Sequence, residues 1–331
     1  MGLWAAVWMA GASLPAAAQE DLLRQQLRAP VPMARTDVDQ PIREPGDATF
    51  QFESGGHRRF YRVHVPRSYD PQHPAPLVVA LHGGGGSMDY EADDANYGLV
   101  SASEQHGFVV AFPNGFSRLP NGRLATWNAG RCCGPARDRG VDDVGFIREM
   151  LAHLDRQLVL DPARTYATGM SNGAMMAFRL ACEMPRRFAA IAAVAGTDNT
   201  ERCEPAQPVS VLEIHARDDD HVPFEGGVGP KARRDAVTEF TSVPATIERW
   251  VQHDHCSGTP QRVLEVPGAH CDAYTHCEGG TEVAACVTER GAHSWPGAQH
   301  WRSSEAPSQA ISATEQMWRF FSRHPGAAAR P

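Results

Sequence analysis

Gly169-Met170-Ser171-Asn172-Gly173 has the form G-x-S-x-G, in which a serine sits at the tip of a sharp turn between a strand and a helix. Just before it, Arg164-Thr165-Tyr166-Ala167-Thr168 is short, rich in β-branched and aromatic residues, and predicts a strand. Just after it, Ala174-Met175-Met176-Ala177-Phe178-Arg179-Leu180 has good helix formers and no proline, and predicts a helix. Glycine at both flanks removes the Cβ atoms that would collide with strand and helix. The helix N-terminus aims its unpaired N–H groups at the serine, where negative charge develops in acyl transfer. The plain alternative is a glycine-flanked turn, and the rest of the chain has to decide between them.

Moving outward, Leu77-Val78-Val79-Ala80-Leu81 is wholly apolar, as befits a central strand buried on both faces. It runs into His82-Gly83-Gly84-Gly85-Gly86-Ser87, whose glycines let backbone N–H groups turn into a cavity as an oxyanion loop. Residues 108–113, 188–196, 209–215 and 282–288 predict further strands, and 49–52 with 59–65 predict a hairpin around Ser54-Gly55-Gly56. A helix opens at Val141-Asp142-Asp143, and Ile147, Met150, Leu151, Leu154 and Leu158 recur along it at helical spacing. Asp142 and Asp143 read as its cap residues. Residues 311–321 predict a closing helix. Strands alternating with helices imply an α/β fold: a mostly parallel central sheet with helices on both faces.

With 331 residues the chain can bury one large core, or at most two domains. Its 31 basic and 39 acidic residues leave a net charge of −8, and without a basic run nucleic acid is not an expected partner. Residues 1–18 are small and apolar and end in Ala16-Ala17-Ala18, the pattern of a signal peptide cut after Ala18. A secreted or periplasmic protein is expected. No other stretch approaches the roughly 18 apolar residues of a membrane span, so no membrane partner is expected. Residues 19–48 lack periodicity and read as a mobile leader, 49–322 as the catalytic domain, and 323–331 as a disordered tail. Eight cysteines in an exported chain predict disulfides. Cys271 and Cys286 flank Glu278-Gly279-Gly280 almost symmetrically and are expected to face each other across two strands. Cys132, Cys133, Cys182 and Cys203 are expected to form two more bridges, with partners left open by the vicinal pair.

A serine hydroxyl needs a base, and the base needs an orienting carboxylate. The carboxylate is expected just past the 209–215 strand, at the ligand-binding edge of the sheet, where Asp218, Asp219 and Asp220 stand in a row. The base is expected at His293, within Gly291-Ala292-His293-Ser294-Trp295-Pro296-Gly297, where glycine and proline suggest a fixed loop. Trp127 and Trp295 are candidates to line the substrate pocket, with core packing as the alternative.

Taken together, Leu81-His82-Gly83-Gly84-Gly85-Gly86, Cys132-Cys133-Gly134, Val141-Asp142-Asp143-Val144-Gly145-Phe146, the Ser171 elbow, Val222-Pro223-Phe224-Glu225-Gly226-Gly227 and His293-Ser294-Trp295-Pro296-Gly297 resemble the polyhydroxybutyrate depolymerase family of esterases. That family also contains feruloyl and acetylxylan esterases. The resemblance runs from about residue 50 to 322. It implies an α/β-hydrolase fold and a cofactor-free serine esterase with Ser171 as nucleophile and His293 as base. The backbone N–H groups of Gly84 and Asn172 would be the oxyanion donors. The family's H-G-x-x-D-x-x-V-P segment falls on His215 to Pro223 and selects Asp219, with Ala216 where glycine is usual. The same pattern suggests a Cys256–Cys277 bridge. The implied substrates are small or oligomeric esters: hydroxyalkanoate oligomers or short-chain esters, or else feruloyl and acetyl esters of plant-wall polysaccharides. Depolymerases of solid polyester need a surface-binding module. The segment after His293 reads only as a closing helix and a short remainder, so soluble esters are expected.

Rival readings are weaker. His253-Asp254-His255-Cys256, His270-Cys271 and His276-Cys277 put histidine near cysteine, but without a C-x2-C pair, and no metal is expected. A non-catalytic binding protein on the same fold would be betrayed by a lost triad residue, and none is lost. Nothing suggests the propeller domain or substrate-amine site of a peptidase.

Overall fold

Val78 and Ala80 pack into one apolar cluster, and Leu77, Val79 and Leu81 into another on the opposite face. The alternation is that of a strand buried on both sides. It belongs to a computed structural model that describes residues 34–230, 239–299 and 305–326. The strands are β1 Gly46–Ser54, β2 His57–Val65, β3 Ala75–Leu81, β4 Val109–Pro113, β5 Leu160–Met170, β6 Ala190–Val194, β7 Ser210–Ala216, β8 Gln261–Val266, β9 Ala269–Tyr274 and β10 Val283–Thr288. They form one ten-stranded sheet in the order β1-β2-β4-β3-β5-β6-β7-β10-β9-β8. From β4 to β10 the neighbours are parallel, and the hairpins β1–β2 and β8–β9 add antiparallel edges. All the parallel strands therefore end at one edge, and the loops leaving β3, β5, β7 and β10 open there.

Five longer helices cover the sheet: α1 Leu99–His106, α2 Asp143–Gln157, α3 Asn172–Glu183, α4 Val243–His253 and α5 Ala313–Arg323. Helices α2, α3 and α4 close one face, through residues such as Phe146, Met150, Phe178 and Trp250. Helices α1 and α5 close the other, through Leu99, Met317, Phe320 and Phe321. Each such side chain, fully buried, contributes about 1.5–3 kcal/mol. Among the described residues no helix is long and apolar enough to cross a membrane.

The structure differs from the sequence expectations at three places. Residues 1–33, with the signal-like segment, lie outside the described residues. The rest of the expected mobile leader is fastened. Arg35 bonds to Thr49 and Gln51 through the backbone, the Ile42 N–H donates to Gln157 O, and β1 begins at Gly46. Of the expected disordered tail, 327–331 lies outside the described residues, and the part before it is tied, the Gly326 N–H donating to Ala163 O at 2.7 Å. Unpaired backbone groups on β1, at the end of α2 and at the start of β5 supply these attachments, and hydrophobic periodicity does not report on them. At the start of α2, only Asp142 is a cap: its Oδ1 accepts the Gly145 N–H at 2.8 Å. Asp143 turns inward, fully buried, to pair with Arg59 at 2.6 Å and to accept the Asn128 N–H.

Candidate active site

Strand β5 ends at Met170, and α3 begins at Asn172, so Ser171 is the whole of the turn. Its φ of +57° and ψ of −120° are strained for a residue with a side chain, a cost of about 1–3 kcal/mol that the surroundings must hold in place. The surroundings are crowded. A Cβ on Gly173 would overlap the Leu81 and His82 carbonyls, and one on Gly169 would meet Leu81 O and the Gly173 carbonyl. Only glycine lets β5, α3 and the end of β3 come this close. The Ser171 N–H is anchored to Val194 O at 2.8 Å.

The glycine loop after β3 lies over this turn. A Cβ on Gly83 would stand 3.7 Å from the Ser171 Cβ, and one on Gly84 would stand 3.5 Å from the Asn172 Cβ. The N–H groups of Gly85 and Gly86 donate to Ala125 O and Gly83 O, so the Gly83–Gly84 stretch is the part of the loop that faces the elbow. His82 fixes the loop. Its Nδ1 lies 2.8 Å from Gly83 O and must donate, because a carbonyl only accepts; its Nε2 accepts the Gly115 N–H at 2.9 Å. The ring is thus neutral, in keeping with burial that pushes its pKa down to about 4. The Asn172 amide makes two bonds with Trp127, accepting its N–H at 2.7 Å and donating to its carbonyl at 3.0 Å. The Asn172 N–H, in the first turn of α3, has no acceptor within the helix.

On the other side, the loop after β7 carries Asp219 and the loop after β10 carries His293. His293 Nδ1 lies 2.8 Å from Asp219 Oδ2. Asp219 Oδ1 accepts the N–H groups of His221 and Val222 at 2.8 and 2.9 Å. Burial alone would raise the Asp219 pKa, but hydrogen bonds from His215 and His293 outweigh it and hold the carboxylate well below its usual range. An ionised carboxylate only accepts, so His293 Nδ1 donates this hydrogen bond, and in the neutral ring Nε2 is the nitrogen with the lone pair. Of the three consecutive aspartates, the structure brings only Asp219 to His293. Asp218 accepts the Ala292 N–H at 2.9 Å, and Asp220 pairs with His221 at 2.7 Å. The His221 ring in turn stacks on His293, with centroids 4.9 Å apart.

Two tryptophans expected to line the pocket are buried in the framework. Trp127 is inaccessible and donates from Nε1 to His82 O; Trp295 is 2% exposed and donates to Thr314 Oγ1. They shape the loops from behind, since bulky indoles whose N–H finds an internal acceptor are stable core residues. The cysteines pair as Cys132–Cys133, Cys182–Cys203, Cys256–Cys277 and Cys271–Cys286. The sulfurs of Cys256, Cys271 and Cys277, which stood beside histidines in the sequence, are therefore bound to sulfur.

Behind Asp219 lie two groups that the sequence reading passed over as chemistry. Glu213 and His215 are fully buried on β7, and His215 Nδ1 is 2.8 Å from Glu213 Oε1. Their i, i+2 spacing on an apolar strand puts both on one face, and that was the available signal.

Residues 53–276 match the family described as "Putative esterase". The chain belongs to this esterase family. Feruloyl esterase B of Piromyces equi is 29% identical over 236 residues, which are 70% of this chain and 42% of that protein. "Putative esterase NocK" of Nocardia uniformis subsp. tsuyamanensis is 29% identical over 276 residues, 78% of this chain and 76% of that one. Among solved structures, the acetyl xylan esterase from Aspergillus awamori superposes with a TM-score of 0.55 at 14% identity, covering 83% of this chain and 99% of that one. That likeness is one of fold, and this chain has the α/β-hydrolase fold.

Proposed function

We propose that this protein is an exported serine esterase that hydrolyses soluble carboxylic esters through an acyl-enzyme. The observation that carries this reading is the 2.8 Å contact between His293 Nδ1 and a fully buried, saturated Asp219, on the same sheet edge as the Ser171 elbow. Ser171 attacks the ester carbonyl while His293 Nε2 takes its proton. The N–H groups of Gly84 and Asn172 receive the oxyanion, each worth roughly 3–4 kcal/mol by analogy with known oxyanion holes. The alcohol leaves with the proton from His293, and water, activated by the same imidazole, releases the acid. Four bridges using all eight cysteines support export.

Two ester classes remain from the family resemblance. Hydroxyalkanoate oligomers and short-chain esters follow from the likeness to polyhydroxybutyrate depolymerases. Feruloyl or acetyl esters of plant-wall polysaccharides are favoured by one observation, the feruloyl esterase among the relatives. A panel of p-nitrophenyl esters, 3-hydroxybutyrate oligomers, methyl ferulate and peptide anilides separates them. Ester turnover is expected without anilide cleavage, lost in Ser171→Ala while the protein stays folded. A Ser171→Ala protein with a tenth of wild-type activity would refute the mechanism. Rapid clearing of crystalline polyhydroxybutyrate with little action on soluble esters would refute the substrate class.

A further inference from the structure

Charged groups are scarce in the interior of this sheet, yet β7 places Glu213 and His215 there side by side, with no accessible surface on either side chain. Burying such groups costs several kcal/mol unless they are well paired, and apolar residues would pack the strand more cheaply. Their contacts all lead to the acid loop. His215 Nε2 is 2.8 Å from Val222 O and 3.3 Å from Asp219 Oδ2. Since Val222 O can only accept, Nε2 carries a proton, and that N–H holds the end of the loop and the catalytic carboxylate together. A proton is shared on the other side of the ring, between Nδ1 and Glu213 Oε1. If the ring changed tautomer, a bare Nε2 lone pair would face two acceptors.

We propose that His215 is a positioning residue for Asp219, and that Glu213 keeps a proton at Nδ1 so that Nε2 retains the N–H that does so. The arrangement lies one layer behind that of Asp219 and His293 and differs from it by one proton: with a proton held between Glu213 Oε1 and Nδ1, His215 Nε2 offers an N–H, whereas Nε2 of a neutral His293 offers a lone pair. Asp219 then has four donors: two N–H groups on Oδ1 and two imidazoles on Oδ2. The carboxylate can neither rotate nor turn away from His293. Burial raises the Glu213 pKa, and the two carboxylates beside His215 outweigh burial and raise that of the ring, so a proton stays between them at neutral pH.

The proposal rests on the triad reading, and a double-mutant cycle on the full chain, with p-nitrophenyl acetate as probe, tests the two apart. His215→Gln is expected to lower kcat by about 10–100-fold, the range seen for groups that orient a functional side chain from behind, with KM close to wild type. In an Asp219→Asn background the same change should have little further effect, because residues acting as one unit are not additive. Glu213→Gln, which keeps the shape, should show the same pattern at smaller size, and it carries the cycle alone if His215→Gln does not fold. Near-wild-type kcat in either soluble variant, or an equal fold-loss in both backgrounds, would overturn the proposal and leave the pair a structural one. Full activity of Asp219→Asn and Ser171→Ala would instead overturn the triad itself, and the proposal with it.

Discussion

Around Ser171 the closest approaches are between main-chain atoms, whereas Asp219 is held by two imidazoles as well as by two main-chain N–H groups. The elbow and its glycine loop are held by carbonyls of Leu81 and His82 packed where no Cβ fits. The acid and base are held by a chain of hydrogen bonds from Glu213 through His215 and Asp219 to His293. The nucleophile's half thus depends on steric exclusion, which tolerates no added atom. The base's half depends on charge and proton placement, which tolerates changes of size better than changes of chemistry. The disulfides divide two and two: Cys182–Cys203 ties the helix that follows the elbow, and Cys132–Cys133 lies in the loop after β4. Cys256–Cys277 and Cys271–Cys286 both reinforce the half of the sheet beside β10.

The comparison is most sharply tested at Gly173. Gly173→Ala adds one methyl group against Leu81 and His82 carbonyls, and ester turnover should fall by about 100-fold or more, the scale of a 1 Å misplacement of reacting groups. A Gly173→Ala protein with ordinary kcat would break the steric account. The bridges come next. The paired change Cys271→Ser with Cys286→Ser opens a loop whose ends are 15 residues apart and should cost roughly 2–4 kcal/mol of stability. Urea titration measures it, and inactivation of the variant should track unfolding of the His293 half. An unchanged midpoint would show that hydrogen bonds alone secure that half. The last test concerns pH dependence rather than activity and falls at Glu91, the buried carboxyl beside the glycine loop. It is 1% exposed, neither oxygen has a hydrogen-bond partner, and burial pushes its pKa up to about 8. A carboxyl raised in the folded state binds its proton more tightly there than in the unfolded chain. Stability should therefore decline as pH rises from about 4.5 towards 8. Glu91→Gln should lose that part of the slope in a series of thermal melts, and identical pH profiles for the two proteins would refute it.

Much of this was legible in the sequence because local chemistry forced it. Gly169, Gly173 and the 83–86 run are visible as glycines, and the apolar run at 77–81 has one sensible place in a parallel sheet. The base and the row of aspartates also stand out, since they follow strands at the edge where loops meet. What could not be read was the depth of each residue. Asp142 and Asp143 look alike in a helix-opening segment, yet one faces solvent as a cap and the other meets Arg59, far away in sequence, inside the core. Trp127 and Trp295 gave no sign of which side of the loop they would take. Glu213 and His215 were hidden for the same reason, because a pair buried behind a catalytic group differs from a surface pair only in what lies opposite.

The position of β10 has a bearing on how the molecule comes into being. It lies between β7 and β9, so the β8–β9 hairpin joins the sheet only through it, and it is the last strand in chain order among the described residues. During synthesis Ser171 and Asp219 emerge well before it. Until β10 slides between its two neighbours, the chain has neither His293 in place beside Asp219 nor the rung from Cys271 to Cys286. The elbow with Ser171 is made early, and the contact of Asp219 with His293 closes only at the last step of assembly.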